Sequence, residues 1–385
     1  MRPSLAVMAA SRWRWGVVLV AVAGLLVLPP ALQALPVPDQ PDIGAEDLLA
    51  RVAASADVAH NGTAESRGEL DLPDVRRLGD LVALLGGTTR TRVWYAGPEE
   101  WRVDEQRPAA DVSTYRDAAG TWTWDSEEGT VVRVLGDPAV RLPRPADLGP
   151  AELGRRLAAA GAGGAVTRTP GRTVAGRTGL GLRVTPADTR SLVERIDLWV
   201  DSETGLPLRV EVTAQGETEA TAESQWLDLA VGAPPEEVTD FDLPPFVAPT
   251  TSDAPDVAAL VNRLAPFALP ARLSDLPRRE SASGVGGSGG AGTYGEHLTT
   301  FAVLPLPRDI GRETFRSLDG ASLVREVDLR GQQALALETP LLSALVVRGA
   351  GRAYLLAGPV VPAVLEQAAL ELVLDPPTLR PDAPR

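Results

Sequence analysis

The 385-residue chain contains no cysteine, no lysine and only two histidines, His60 and His297. Without cysteine there can be no disulfide, no thiolate zinc site, no thiol nucleophile and no lipid anchor on a thiol. Without lysine a Walker-type phosphate loop cannot be built. The two histidines stand far apart, with no second histidine near either to complete a metal set. No Gly-x-Ser-x-Gly elbow is present to serve His297 in a triad. Gly284-Val-Gly286-Gly-Ser-Gly289 spells a dinucleotide fingerprint, but it follows the polar Arg278-Arg279-Glu280 and leads into more glycine rather than a helix, so it reads as linker. Asp125, Glu127 and Glu128, like Glu236 and Glu237, belong to turns, and Asp201-Ser-Glu203 lacks a glycine in EF-hand register. The expectation is a non-enzyme with no cofactor and no metal. Positive charge is also scarce. The net charge is −14, and because the first 38 residues hold three arginines and no acid, the remainder carries −17. Such a body repels phosphate backbones, which argues against nucleic-acid binding.

What is present begins with an export segment. Arg2, Arg12 and Arg14 precede an uncharged run that starts at Gly16, with Trp13 and Trp15 at its edge. Its apolar core before Pro29-Pro30 suits a signal peptide, and counted to Leu35 it is long enough for a span across the cytoplasmic membrane through residues 16–35. Residues 1–38 are therefore read as signal peptide or N-terminal anchor, and the body as extracytoplasmic. Residues 39–246 read as one domain, 247–293 as a linker region with a Gly-rich segment, 294–374 as a smaller α+β domain and 375–385 as a disordered tail.

The large domain centres on residues 92–135, which hold four of the eight tryptophans. β-Branched and aromatic residues alternate there with Gly, Pro and Asp punctuation, the pattern of an antiparallel meander. Helices are predicted over 45–59, within 73–87 and over 146–160, where Pro150 sits at the start. His60-Asn61-Gly62-Thr63 reads as a turn at a helix exit. Ser202-Glu-Thr-Gly205 reads as the turn of a hairpin between residues 195–201 and 206–213. The second domain reads as a strand, a helix over 308–318, three strands and a terminal helix from Pro362.

The order of these pieces resembles the LolA/RseB superfamily, the lipoprotein carriers and the RseB/MucB-type regulators of envelope-stress sigma factors, in an actinobacterial, membrane-anchored form. The matching stretches are LLARVAASADVAHNGTAES (48–66), VWYAGPEEWRVDEQ (93–106), YRDAAGTWTWDSEEGTVVRV (115–134), LWVDSETGLPLRVEV (198–212) and FDLPP (241–245). AYLLAGPVVPAVLEQAALEL (353–372) looks like the end of the smaller RseB domain. The resemblance implies an α+β fold: a curved antiparallel half-barrel with helices in its concavity, followed by a smaller α+β domain. It implies non-catalytic binding of an acyl chain, a lipid or a lipidated protein in an apolar cavity. The alternative it carries is negative regulation of an extracytoplasmic-function sigma factor through a membrane anti-sigma partner.

On this reading Val93, Trp94, Trp101, Trp122, Trp124 and Val134 are candidates for the cavity lining, although tryptophans on one face of a sheet serve equally well as plain core. Arg90 and Arg92, on the same face as Trp94, are candidates for a headgroup contact at the cavity mouth, or else for surface salt bridges. Trp199 shares its face with Arg195, Asp197 and Asp201, which marks a contact surface or a covered edge.

Overall fold

A computed structural model describes residues 42–70, 79–136, 143–245, 247–253, 268–279, 292–306, 308–318, 323–349 and 352–377. The export segment, the Gly-rich run at 284–291 and the end of the tail lie outside the described residues.

The chain opens with helix α1 (Ala45–Ala54), acidic in its first turn and ending with Arg51, a charge order that suits the helix dipole. Leu48 and Val52, four residues apart, supply its buried stripe. Strand β1 (His60–Gly68) follows almost at once. The sequence predicted a turn at His60–Thr63, and the structure corrects this. Gly62 lies in mid-strand against the Asp228 carbonyl, where any Cβ would collide, so here glycine marks close strand approach instead of a turn.

After α2 (Gly79–Gly86), the meander runs as β2 (Thr88–Gly97), β3 (Glu100–Gln106), β4 (Val112–Asp117), β5 (Gly120–Asp125) and β6 (Thr130–Leu135). Helix α3 (Pro150–Ala160) begins on its proline and crosses the sheet so closely that a Cβ on Gly154 would lie 2.6 Å from the Pro207 ring. Five more strands complete the domain: β7 (Ala165–Val174), β8 (Arg177–Thr185), β9 (Val193–Asp201), β10 (Pro207–Ala214) and β11 (Ala222–Val231). The turn between β9 and β10 falls where predicted. Gly205 takes a φ of +77° there, and the Asp201 carboxylate accepts from the Glu203 and Thr204 amides and from Arg177.

A single helical turn, α4 (Glu236–Thr239), and strand β12 (Thr250–Asp253) follow. β12 pairs parallel to β6 and closes a 12-stranded, otherwise antiparallel curved sheet in the order β12-β6-β5-β4-β3-β2-β1-β11-β10-β9-β8-β7. The stretch from 247, which composition marked as linker, thus contributes an edge strand to this sheet. Further on, β13 (Arg272–Leu273) and β14 (Leu276–Pro277) send Leu269, Leu273 and Leu276 into the core of the smaller domain, upstream of the boundary predicted at 294.

The smaller domain is a six-stranded sheet built from β15 (Gly292–Glu296), β16 (Thr299–Leu306), β17 (Val324–Leu329), β18 (Gln332–Glu338), β19 (Ser343–Gly349) and β20 (Arg352–Gly358), in the order β15-β16-β20-β19-β18-β17. Helix α6 (Pro362–Leu374) packs Val364, Leu365, Ala368, Ala369 and Leu372 against one face. Helix α5 (Arg308–Leu318) presses Phe315 onto Leu335 and Val346 of the other. The two sheets are joined: Leu192 donates to the Pro359 carbonyl at 2.9 Å and Val361 to that of Arg190 at 2.8 Å. Leu298 of the smaller domain is buried in the core of the larger one.

Candidate ligand-binding face

Side chains directly opposite one another in a sheet lie on the same face, so the strand register sorts the candidates without ambiguity. One row runs His60–Tyr95–Trp101–Arg116–Thr121–Val134 across β1 to β6. The neighbouring row on that face runs Val93–Val103–Thr114–Thr123–Val132. This is the face the helices cover, since Val93 and Val103 share a cluster with Ala151 of α3 and the Tyr95 hydroxyl donates to the Ala56 carbonyl at 2.6 Å.

Cover is uneven along the sheet. Over β8 to β10, Leu180, Leu182, Val184, Ile196, Leu198, Val200 and Val210 are sealed beneath α1 and α3. Toward β6 the seal ends. Val93 and Val103 are 8% and 5% exposed, Thr114 and Thr123 are half-buried, and Val132 is 39% exposed. Trp101 and Val134 are also half-buried. The edge of this open area is the β6–β12 pair, where Thr250 and Ser252 lie beside Val132 and Val134. The centre of this floor is valine and threonine, while Arg116 lies within it and Glu105 and Asp125 lie in the next row on the same face.

The opposite face carries the other candidates. Its rows read Trp94–Arg102–Tyr115–Trp122–Arg133 and Arg92–Asp104–Ser113–Trp124–Val131. The six residues predicted to line one cavity therefore divide: Val93, Trp101 and Val134 on the helix-covered face, Trp94, Trp122 and Trp124 on the other. Trp122 is held as a structural residue. Phe241 stacks on it at 4.8 Å, the Arg133 guanidinium lies 4.4 Å from its ring, and its indole N–H donates to Asp117 at 2.9 Å. Trp94 lies 4.9 Å from the guanidiniums of both Arg92 and Arg102. Arg90, itself exposed, pairs at 2.9 Å with the buried Glu65. Its row continues Arg90–Glu65–Gln225–Arg209–Trp199, placing Arg90 and Trp199 on one face at a distance of four strands. Trp199 lies 4.8 Å from Arg172, and its indole donates to the Pro170 carbonyl at the β7 bulge.

Sequence reasoning missed His60. It is 2% exposed, stacks on Tyr95 at 4.9 Å and meets Trp226 edge-on at 5.4 Å. Burial drives its pKa down to about 4, against the opposing hydrogen bond to the Val58 carbonyl and with help from nearby Arg155. At neutral pH it is a neutral core ring whose Nδ1–H donates to that carbonyl at 2.7 Å. Phe241 was read only as part of a domain-closing FDLPP, and nothing in the local pattern points to its stack on Trp122. Among the described residues no cluster of three His, Cys, Asp or Glu could hold a metal, and no helix is long and apolar enough to cross a membrane.

No family model matches the sequence, and no curated protein matches it. Solved structures do. The chain is similar to MucB in the MucA/MucB complex of Pseudomonas aeruginosa, at 18% identity over 88% of this chain and 99% of that one, with a TM-score of 0.45. It is similar to MucB in complex with MucA(peri), at 17% identity over 84% and 97%, with a TM-score of 0.46. A LolA superfamily protein, NE2245 from Nitrosomonas europaea, matches at 14% identity over 52% of this chain and 98% of that one, with a TM-score of 0.24. Both kinds of protein named by the sequence resemblance are thus among the structures this chain is similar to.

Proposed function

We propose that this chain is a non-catalytic, extracytoplasmic binding protein that takes an acyl chain, of a lipid or a lipidated protein, on the open half of its large sheet. The observation that carries the reading is the exposure gradient from Val93 to Val132 on the helix-covered face. A sheet face that is apolar yet unsealed favours an apolar occupant, and each methylene it buries contributes about 0.8 kcal/mol. Val93, Trp101 and Val134 are the lining residues of this proposal. Residues 16–35 would hold the protein at the cytoplasmic membrane, where such ligands are found.

A second reading has its own support. The smaller domain is tied into the larger one through Leu298 and the Leu192–Pro359 bond, so a ligand bound to one sheet has a mechanical route to the other. That arrangement suits a regulator acting on a membrane anti-sigma protein, with Arg90, Arg92 and Trp199 on the opposite face as the partner contact.

Native mass spectrometry of residues 39–385, purified without detergent, tests the first reading. We expect a mass excess that organic solvent extracts as lipid and that the double substitution Val132→Asp, Val134→Asp abolishes. A clean apo mass unmoved by added lipid would end the acyl-binding reading. Crosslinking from Trp199 in intact membranes tests the second, which fails if no membrane protein is captured.

A further inference from the structure

The smaller domain holds a groove that the reading above does not use. Helix α5 packs Phe315 against Leu335 of β18, Val346 of β19 and Leu355 of β20, and reaches the edge strand β17 only at its first residue, Val324, beyond which Glu326 and Asp328 are exposed. Between α5 and β17 lies an open groove of about 620 Å³, a size suited to a small ligand. The far side of β17 is closed by contrast, because Arg325 bridges to Glu338 at the β18 end and to Glu366 of α6.

Charge in the groove is arranged in an uncommon way. Arg312, Arg316 and Arg348 line it together with Glu326 and Asp328. Three guanidiniums and two carboxylates share one space, yet among the described residues Arg316, Arg348, Glu326 and Asp328 make no ion pair. Asp328 accepts only the Gly331 amide, in its own hairpin turn. Arg348 is aimed by stacking on Phe315, with its guanidinium 4.1 Å from the ring centroid. This fixes a planar donor fork at the groove wall without consuming its hydrogen bonds. An anion alone would meet Glu326 and Asp328, and a cation alone would meet the arginines.

We propose that this groove binds a phospho-amine zwitterion: a phosphodiester on Arg316 and Arg348, with a primary ammonium on Glu326 and Asp328. Guanidinium forks match phosphate oxygens in pairs, and a primary ammonium has the three donors that carboxylates accept. Such a group could come from an ethanolamine lipid headgroup or from a free phosphodiester. The site is independent of the acyl-binding face, so either can fail without the other.

Calorimetric titration of the full chain with glycerophosphoethanolamine and with glycerophosphoglycerol, which lacks the amine, tests the assignment. The first probe should bind at least about tenfold more tightly, and Arg348→Gln and Glu326→Gln should each weaken it by about tenfold, the size expected for one charged contact. Because both side chains are exposed, circular dichroism should show both variants folded. Equal affinity for the two probes, binding of neither, or indifference to Glu326→Gln would overturn the proposal. Vesicles separate the sources. Stronger retention on phosphatidylethanolamine-containing vesicles than on phosphatidylcholine alone, lost in Glu326→Gln, assigns the lipid headgroup. Calorimetric binding without that difference assigns a soluble phosphodiester.

Discussion

The two halves of the large sheet are made from much the same strand chemistry and end differently. Over β8 to β10 the helix-covered face is a run of Leu, Ile and Val, and the stripes of α1 and α3 fit onto it until nothing is left exposed. Over β4 to β6 the same face carries Thr114, Thr121, Thr123, Val132 and Val134, of which Thr121 is still buried, Thr114, Thr123 and Val134 are half-buried and Val132 is exposed. The aromatic mass of that half sits on the opposite side, where Phe241 stacks on Trp122 and meets Tyr115 at a tilt, with Arg102 over the Tyr115 ring and Arg133 over that of Trp122. The covered half is stabilised by burial beneath helices. The open half is stabilised from behind, by its aromatic face, and its front is less completely covered. On the proposed reading, stability and binding are separated onto opposite faces of the same three strands.

The separation can be broken most severely in the covered half. Leu198 is fully buried between β8 and β10, and Leu198→Ala should cost about 2–5 kcal/mol through lost transfer energy and the cavity left behind. Chemical denaturation measures the loss.

Next comes the boundary between the halves, where His60 and Tyr95 stack. The folded-state pKa of His60 is about 4 against 6.5 for the free side chain, so between these values the unfolded chain binds a proton that the folded chain refuses. Its contribution to stability is therefore complete above pH 6.5 and is lost as pH falls toward 4, by about 3 kcal/mol at 1.36 kcal/mol per pKa unit. Denaturation midpoints of the wild type and of His60→Phe, compared at pH 7 and pH 4.5, isolate this dependence from that of the carboxylates. Equal pH slopes in the two proteins would mean that His60 is not the titrating group.

Smaller again is the aromatic backing. Phe241→Ala removes the ring stacked on Trp122 and tilted against Tyr115, and an aromatic pair contributes about 0.5–1.5 kcal/mol beyond its area. The expected loss is about 1–2 kcal/mol, since Phe241 is only half-buried. Quenching and shift of indole fluorescence should report the exposed Trp122. An unchanged spectrum would mean that the stack does not persist in solution.

How far these features could be read from sequence follows their range along the chain. The strands of the meander, the Ser202–Gly205 turn, the helix that opens on Pro150 and the helix over 308–318 were legible, because periodicity and turn chemistry are local. Which residues share a face across strands was not. Trp122 and Trp124 alternate with Thr121 and Thr123 in any register, but whether Val132 and Val134 join the tryptophans or the threonines depends on the loop from Ser126 to Gly129. The observed pairing of Asp125 with Thr130 gives the valines to the threonines. A shift of one residue would have reversed it. His60 misled because Asn61-Gly62 spells a turn, while the deciding fact is the Asp228 carbonyl far along the chain. β12 escaped because Thr250–Asp253 has the composition of a linker, and a parallel edge strand needs little beyond backbone to pair.

The smallest expected effect on stability tests the comparison most directly. Val132 is 39% exposed and makes little core contact, so Val132→Ser should change stability by no more than about 0.5 kcal/mol. If the open half is a binding face, the same substitution places a hydroxyl against an acyl chain and should weaken lipid retention several-fold. A buried polar group without a partner costs about 1–3 kcal/mol, and only the bound state buries this one. Leu198→Ala should show the reverse pattern, with a large loss of stability and, at temperatures where the protein stays folded, unchanged ligand stoichiometry. Two variants that move stability and retention in opposite proportion would establish the division between the halves. If Val132→Ser instead destabilises the fold as a core substitution does, the open half is packed in solution and the proposed face is already filled by the chain itself.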